Sequence, residues 1–282
     1  MKTTHIIFYL TCLSVIPTQL HAKELLGLHL GVDYWDASIK GHVRSDPFEP
    51  SEGEPTVTGT LFSAAEFDIA EETLNTYTIT LNHDFPGLPK LIYRNAPIKS
   101  EGTSVLTLRD VNFAGNTFVT STNMQSKYEL SFQDVSLYYN VKEGWLDLDL
   151  GLTQRNIKGA VELRTDDVAD TGETGEETTT TDTGPTVSRA KIEKSPILLY
   201  AKVHIDIPKT PVSVSSTWQY GESSDDNFND TEYALAYATE SRNYTFRIEG
   251  GYKRSHFFSD DLGELGSTLK VRGPFLRLTF GL

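Results

Sequence analysis

Hydrophobic and polar residues alternate with a period of two along most of this chain. From Leu146 to Leu152 every second residue is a leucine, and Asp147, Asp149 and Gly151 lie between the leucines. A period of two places successive side chains on opposite faces of a β-strand. The alternation predicts ten strands, at 25–43, 73–83, 90–110, 126–141, 145–165, 190–206, 212–220, 231–240, 244–258 and 267–282.

The links between the predicted strands alternate between short and long. Antiparallel strands joined in chain order would gather the short links at one end and the long links at the other. This asymmetry is typical of bacterial outer-membrane barrels, which have short periplasmic turns and long extracellular loops. The short links are 85–89, 142–144, 208–211 and 241–243, and the long ones are 44–72, 111–125, 166–189, 221–230 and 259–266.

Alternation alone does not say which face of each strand meets the protein interior. The leucines point inward in a soluble β-protein and outward in a membrane barrel. Acids and bases are balanced on the polar faces, which suits a narrow lumen because unpaired buried charge is costly. Asp147 and Asp149 are expected to face Lys202 and His204 on the next strand. The predicted lumen network comprises His29, Asp33, Asp147, Asp149, Arg155, Lys202, His204, Asp206, Arg247, Glu249, Lys253 and Arg277.

Aromatic residues gather near the predicted strand ends, where the two membrane interfaces of a barrel would lie. The predicted interface residues are Trp35, Tyr139, Trp145 and Trp218. Only a closed barrel lets strands cross a bilayer without unpaired backbone groups. We therefore predict an all-β fold, a closed antiparallel up-and-down transmembrane β-barrel of about ten strands, with a soluble periplasmic β-protein as the alternative.

The first 22 residues differ from the rest of the chain. Lys2 precedes a short apolar run at 6–16, and cleavage after Ala22 would fit a secretory signal peptide. Cleavage would remove Cys12, the one cysteine, and leave no disulfide. A lipoprotein anchored at Cys12 is the alternative. We predict a signal peptide at 1–22 and one barrel domain at 23–282, with acidic extracellular loops at 44–72 and 166–189.

Several segments resemble small bacterial outer-membrane β-barrel proteins, in particular a family of short barrels with a late Gly-Gly pair. The resemblance implies a barrel fold and a location in the cell outer membrane, and it implies no particular activity. The last strand also resembles the C-terminal signal by which the barrel-assembly machinery recognises its substrates. The matching segments are LLGLHLGVDYW (25–35), 130–152, SPILLYAKVHIDIP (195–208), EGGYK (249–253) and GPFLRLTFGL (273–282).

One segment carries residue types that could support catalysis. RSHFFSDD (254–261) contains His256 and Ser259 beside two aspartates. A serine and a histidine can form a nucleophile with its base. Because these two residues are three apart, they face opposite sides of an extended strand. We therefore expect a polar rim and predict no enzyme activity, with a rim-located envelope hydrolase as an alternative.

Metal sites are expected neither in the lumen nor in the loops. His29 and His204 could hold a metal or a proton, but a hydrogen-bonded lumen is the simpler interpretation. The acidic segment 165–184 could bind calcium, although its spacing fits no EF-hand loop. We predict no metal and no cofactor.

The net charge of −14 argues against nucleic acid as a partner, because phosphates would repel it. Outer-membrane lipid and lipopolysaccharide are the expected partners, the latter through divalent cations that bridge to the acidic loops. We predict a porin-like, Gram-negative envelope protein that is structural or a narrow polar passage for small solutes. A surface-loop receptor or adhesin is the alternative of a different class.

Overall fold

The computed structural model describes residues 26–49, 55–67, 71–85, 87–105, 110–119, 123–165, 186–241 and 244–282. The predicted signal peptide and most of the predicted loop 166–189 lie outside these residues. Among the described residues, no helix is both long and apolar enough to cross a membrane.

Ten long strands form the barrel, and their positions follow the predicted alternation closely. The sixth strand is interrupted at Ser195 and Pro196. The strands are β1 (Leu26–Ser45), β2 (Glu71–His83), β3 (Lys90–Val105), β4 (Asn123–Glu143), β5 (Leu146–Thr165), β6 (Val187–Lys194 and Ile197–Asp206), β7 (Val212–Glu222), β8 (Asp226–Glu240), β9 (Thr245–Ser259) and β10 (Leu265–Gly281).

The sheet closes on itself. Every strand pairs antiparallel with its neighbours in the chain, and β10 pairs with β1 from His29↔Gly281 to Ser45↔Leu265. Closure satisfies the backbone hydrogen bonds that an edge strand would leave open. The predicted fold, a closed antiparallel barrel of about ten strands, is confirmed.

The two ends of the barrel differ less in loop length than the sequence predicts. Only residues 223–225 separate β7 from β8, and only 260–264 separate β9 from β10. The predicted loop 221–230 is therefore mostly strand, and the predicted loop 259–266 is reduced to residues 260–264. Their polar residues continue the alternation, because Asp226 and Asp230 point into the barrel and meet bases there.

The outer surface changes character halfway along the strands. On β1 the outward residues from Leu26 to Tyr34 are apolar, whereas Asp36, Lys40 and Arg44 above them are polar and exposed. The same switch occurs on β5, where the exposed leucines end at Leu152. The half of the barrel near the short turns, here called the lower half, thus carries a continuous apolar band. Such a band is the lipid-facing surface of a transmembrane barrel.

Aromatic side chains border this band, and one predicted interface residue does not belong to it. Tyr139, Trp145 and Trp218 are outward and exposed by 56%, 55% and 37%. Trp35 instead points into the barrel, is buried, and donates its indole N–H to the carbonyl oxygen of Gly273 at 3.2 Å. Its predicted interface position is corrected: Trp35 lies on the same inner face of β1 as Asp33, and it is the first large apolar side chain on that face.

The polarity of the inward side chains changes in the opposite direction along the strands. The lower half contains charged and polar side chains, and the upper half contains a hydrophobic core. Segments between the strands extend this core over the upper mouth. Phe62 packs edge-on against Phe113 with ring centroids 5.5 Å apart. The small hairpin Val111–Phe113 and Asn116–Phe118 reaches β1 through Ser45 and β6 through Ser188, where the hydrogen bonds are 3.2 and 2.6 Å.

Candidate functional site in the barrel interior

Arg277 of β10 is the centre of the largest ion-pair network among the described residues. Its guanidinium donates to both carboxylate oxygens of Asp33 at 2.5 and 2.8 Å and to both of Glu232 at 2.7 and 2.9 Å. Glu249 accepts a further bond at 3.2 Å, and Lys253 pairs with Asp33. All five side chains are largely buried. The network joins β1, β8, β9 and β10, the strands on either side of the closure.

A second network surrounds Arg155 of β5. Its guanidinium forms two parallel 2.8 Å bonds with Asp134 of β4, and it also donates to Gln219 at 3.0 Å and Asp230 at 2.6 Å. Gln219 in turn donates to Thr153 at 3.1 Å. Bidentate arginine–carboxylate bonds are among the strongest polar contacts in proteins. This network therefore fixes β4 and β5 against β7 and β8 across the lumen.

Below these networks lies a polar cavity of about 370 Å³ that includes residues at the short-turn ends of the strands. Lys142 and Asp206 at that end are half-exposed, and they form a 3.7 Å ion pair. Deeper in the cavity, Tyr138 donates to Asn82 at 2.9 Å, and Asn82 contacts His29 at 3.3 Å. Solvent on the short-turn side can therefore enter the lower half of the barrel.

The structure places Asp147 and Asp149 opposite the residues that the sequence assigns to them. Asp149 faces Lys202 and Asp147 faces His204 in the register of β5 and β6. Their hydrogen bonds, however, come from β4, where Asn140 donates to both carboxylates. His204 contacts Asp206 at 3.0 Å and Arg247 at 3.3 Å. The predicted neighbours share the cavity wall without forming a direct ion pair.

Sequence reasoning missed several members of the interior. Asp134, Asp230 and Glu232 complete the two networks, and Arg94 lines the cavity. The signal for Glu232 was present, because alternation with Tyr233 places it on the inner face. Asp230 was missed because its polar surroundings resemble a loop.

Aromatic rings separate the ion pairs from the hydrophobic core above them. The guanidinium of Arg155 lies 5.2 Å from the ring centre of Phe132, and Lys253 lies 4.6 Å from that of Phe275. Phe257 packs edge-on against Phe132 at 5.8 Å and stacks on Phe228 at 6.3 Å. Phe132 and Phe275 each face a cation, in a geometry that favours cation–π attraction. Phe257 contacts other aromatic rings. These rings form a layer at mid-height, and a cavity of about 60 Å³ beside it is lined by Phe132, Arg155 and Lys253 among others.

At the outer rim, the predicted serine and histidine do not meet. His256 points outward, whereas Ser259 points inward and donates to Asp226 at 2.6 Å. Lys194 also donates to Asp226, at 2.5 Å. Burial acts to raise the pKa of Asp226, but the hydrogen bonds from Lys194, Ser259 and Ser223 hold it below its ordinary value. These contacts describe a structural ion pair under the β7–β8 hairpin.

Potential metal ligands are scattered through the molecule. Within the described residues, no three histidine, cysteine, aspartate or glutamate side chains come together in a way that could hold a metal ion. His29 and His204 both line the lower cavity, where each has polar neighbours from the barrel wall.

No protein-family model matches this chain, and no curated protein sequence matches it either. Among solved structures, it is similar to the outer membrane protease OmpT from Escherichia coli, with 10% identity over 92% of this chain and 97% of that one and a TM-score of 0.42. A FadL homologue from Pseudomonas aeruginosa shows 8% identity over 91% and 90% of the two chains, with a TM-score of 0.33. The toluene transporter TodX from Pseudomonas putida shows 8% identity over 92% and 90%, with a TM-score of 0.29. These likenesses are distant, so the barrel's own closure and apolar band identify it as a transmembrane β-barrel.

Proposed function

We propose that this chain is an integral outer-membrane protein with a structural role, and that its barrel conducts no solutes and carries no catalytic site. The observation that carries the proposal is the layer of buried rings at mid-height, where Phe132, Phe228 and Phe257 pack together. Below it, ion pairs cross-link the lumen, and above it the hydrophobic core continues to the mouth. A solute entering the lower cavity would have to displace buried rings to pass.

Recording from the purified protein in a planar bilayer tests this proposal. We expect no steady conductance steps at any voltage, because the aromatic layer excludes water. Insertion is verified separately by the difference in gel mobility between heated and unheated samples. Reproducible steps from inserted wild-type barrels would overturn the closed barrel and support the narrow polar passage.

A variant that loses the ring cluster sharpens this recording. Replacing Phe132, Phe228 and Phe257 by Gly removes three rings from one layer. We expect intermittent conductance from this variant if that layer is the barrier. Silence in the variant, despite insertion, would show that the networks or the capping hairpin close the barrel independently.

The alternative functions remain proposals with their own tests. A surface receptor or adhesin would bind its partner through the loops, and deletion of 166–184 should abolish binding without unfolding the barrel. An envelope hydrolase would require His256 and Ser259, which face opposite sides of β9. Alanine at both positions should therefore leave the lipid A and surface-protein profiles unchanged. Lipopolysaccharide bridged by divalent cations to the acidic loops also remains a proposed partner, as does the barrel-assembly machinery.

A further inference from the structure

A cluster of cations that form no ion pair with a described residue lies on the outer surface directly above the apolar band. We call Lys40, Arg254, Lys270 and Arg272 the cationic patch; all four are outward and exposed. Arg254 is directly opposite Arg272, and Lys40 is directly opposite Lys270 in the strand register. Residues opposite one another have Cβ atoms about 4.5–5.5 Å apart, and like charges in such pairs are destabilising. The fold thus holds repelling charges together.

On the opposite flank of the barrel, exposed lysine and arginine side chains form ion pairs with acids. There Lys127 pairs with Glu101 at 3.5 Å and with Glu129 at 3.4 Å, and Arg189 pairs with Glu162 at 3.7 Å. No member of the cationic patch forms an ion pair with a described residue. Asp36 is the one acid among the outward residues of 36–44, 254–258 and 268–274. In a chain of net charge −14, this local excess of cations calls for an anionic partner.

His256 lies opposite Lys270 in the strand register, so the positive charge of the patch also acts on this histidine. Burial, followed by the charges of Lys270 and Arg254, lowers the pKa of His256. The two cations therefore act on a neighbouring group in the way expected of an unneutralised patch.

The height of the patch places it at the level of lipid headgroups. Tyr252 and Pro274 are the next outward residues below Arg254 and Arg272, and the apolar band begins there. Beside Tyr252 the band contains a groove of about 600 Å³ with Leu235 and Trp218 among its walls. Its floor includes Gly250, where an added Cβ would meet no atom within 4 Å. The groove thus lies on β6–β9 and reaches the cationic patch at Tyr252, the outward residue directly below Arg254.

We infer that the cationic patch binds the phosphate group of an outer-leaflet lipid, one of whose acyl chains occupies the groove at Gly250. Arginine guanidinium groups match phosphate oxygens with two parallel hydrogen bonds, and two of the four cations are arginines. The inference rests on the outer-membrane placement proposed above. It adds a ligand class and a location on the barrel wall.

Binding of a phosphomonoester lipid to the folded full-length barrel tests the inference. The probe is phosphatidic acid in phosphatidylcholine vesicles, measured against phosphatidylcholine alone. The test variant is Arg254→Gln with Lys270→Gln and Arg272→Gln, and the matched control is Lys127→Gln with Lys158→Gln and Arg189→Gln on the other flank. We expect at least about tenfold weaker binding for the test variant, since each cation near a membrane surface contributes appreciably to anion attraction. The control should bind within twofold of wild type.

Other results would contradict the inference. Equal losses in both variants would indicate attraction by overall charge, and competition by inorganic phosphate as strong as that by the lipid would indicate a soluble anion site. Gly250→Leu fills the groove without changing charge and should weaken lipid binding several-fold; unchanged binding would remove the acyl-chain part. A barrel that inserts but shows no lipid preference overturns the lipid site alone, whereas a chain that fails to insert overturns the proposed function as well.

Discussion

At the scale of single residues, the buried arginines hold the barrel together across its lumen. Arg277 contacts carboxylates from three other strands, and Arg155 contacts carboxylates from two. Buried ion pairs of this kind are costly to break one partner at a time, because the charge left behind loses both water and its counterion. Loss of Arg277 or Arg155 should therefore destabilise the barrel more than loss of any one of their acidic partners.

Replacing Arg277 with Met should lower the free energy of unfolding by about 3–5 kcal/mol. Among the described residues, Asp33 and Glu232 would keep only Lys253 as an ion-pair partner, and Glu249 only Arg247 at 3.9 Å. Urea titration of the barrel folded in lipid vesicles measures this change.

Two comparisons separate this effect from general damage. Adding Glu232→Gln to the Arg277 variant should recover part of the loss, because it removes one stranded charge. Lys158→Gln, whose 3.9 Å pair with Glu193 is exposed, should change the free energy of unfolding by less than about 1 kcal/mol. Similar losses for Arg277 and Lys158 variants would contradict the network's structural role.

The Lys194–Asp226 pair at the rim predicts a pH-dependent contribution to stability. The pKa of Asp226 is lower in the folded chain than in the unfolded one. Its charged form therefore stabilises the fold above the unfolded pKa of about 4, and this contribution is lost as the pH falls through the folded pKa. The difference in unfolding free energy between wild type and Asp226→Asn should be full at pH 7 and should shrink below about pH 4. A difference that is the same at pH 3 and pH 7 would contradict this assignment.

At the scale of elements, the outward side chains of each long strand are apolar in the lower half of the barrel and polar in the upper half. On β5, Leu150 lies in the apolar band, and Asn156 is the outward residue two pleats above Leu152. Leu150→Arg should cost about 2–4 kcal/mol of folding free energy in a bilayer, because the arginine would face the hydrocarbon. Asn156→Arg should be nearly neutral. Folding measurements in vesicles compare the two, and equal costs would show that the band has been placed wrongly.

Strand positions were predictable because alternation is a local property of the sequence. The reversal of alternation was also visible: on β5 the apolar positions pass from Leu150 and Leu152 to Ile157 and Leu163, from even to odd numbers. Trp35 was misplaced because this shift of phase was not recognised. The inner face itself does not change along the strand, since Asp33 and Trp35 both point inward; the apolar side chains move from the outer face to the inner face.

Other features depended on contacts that a single segment does not contain. The break in β6 follows from Pro196, which has no N–H for the ladder; above it, Ile192 bridges to Gly263 of the β9–β10 hairpin. The acids of 221–230 indicate a loop when read alone. In the fold, Asp226 and Asp230 are strand residues, and Lys194 and Arg155 reach them from β6 and β5.

At the scale of the whole molecule, the barrel is two stacked halves with opposite radial polarity. The lower half is apolar outside and polar inside, as hydrocarbon around it requires. The upper half is polar outside and apolar inside, like a β-barrel in water. An alternating strand can place its apolar residues either outside or inside the barrel. The strands of this chain place them outside in the lower half and inside in the upper half. The hydrophobic core occupies the upper half, and we propose that it closes the barrel, while the lower half retains a cavity on the short-turn side.

Spin labels placed one at a time along β1 test this account most directly. Labels at Leu30, Val32 and Tyr34 should be accessible to oxygen dissolved in the bilayer, and labels at Ser38, Lys40 and His42 should be accessible to a water-soluble nickel complex. Power-saturation electron paramagnetic resonance of the protein in vesicles gives both accessibilities. A change from oxygen to nickel access between Tyr34 and Ser38 is the predicted result. Nickel access at all six positions would indicate a soluble barrel, and oxygen access at all six would contradict the two-half architecture.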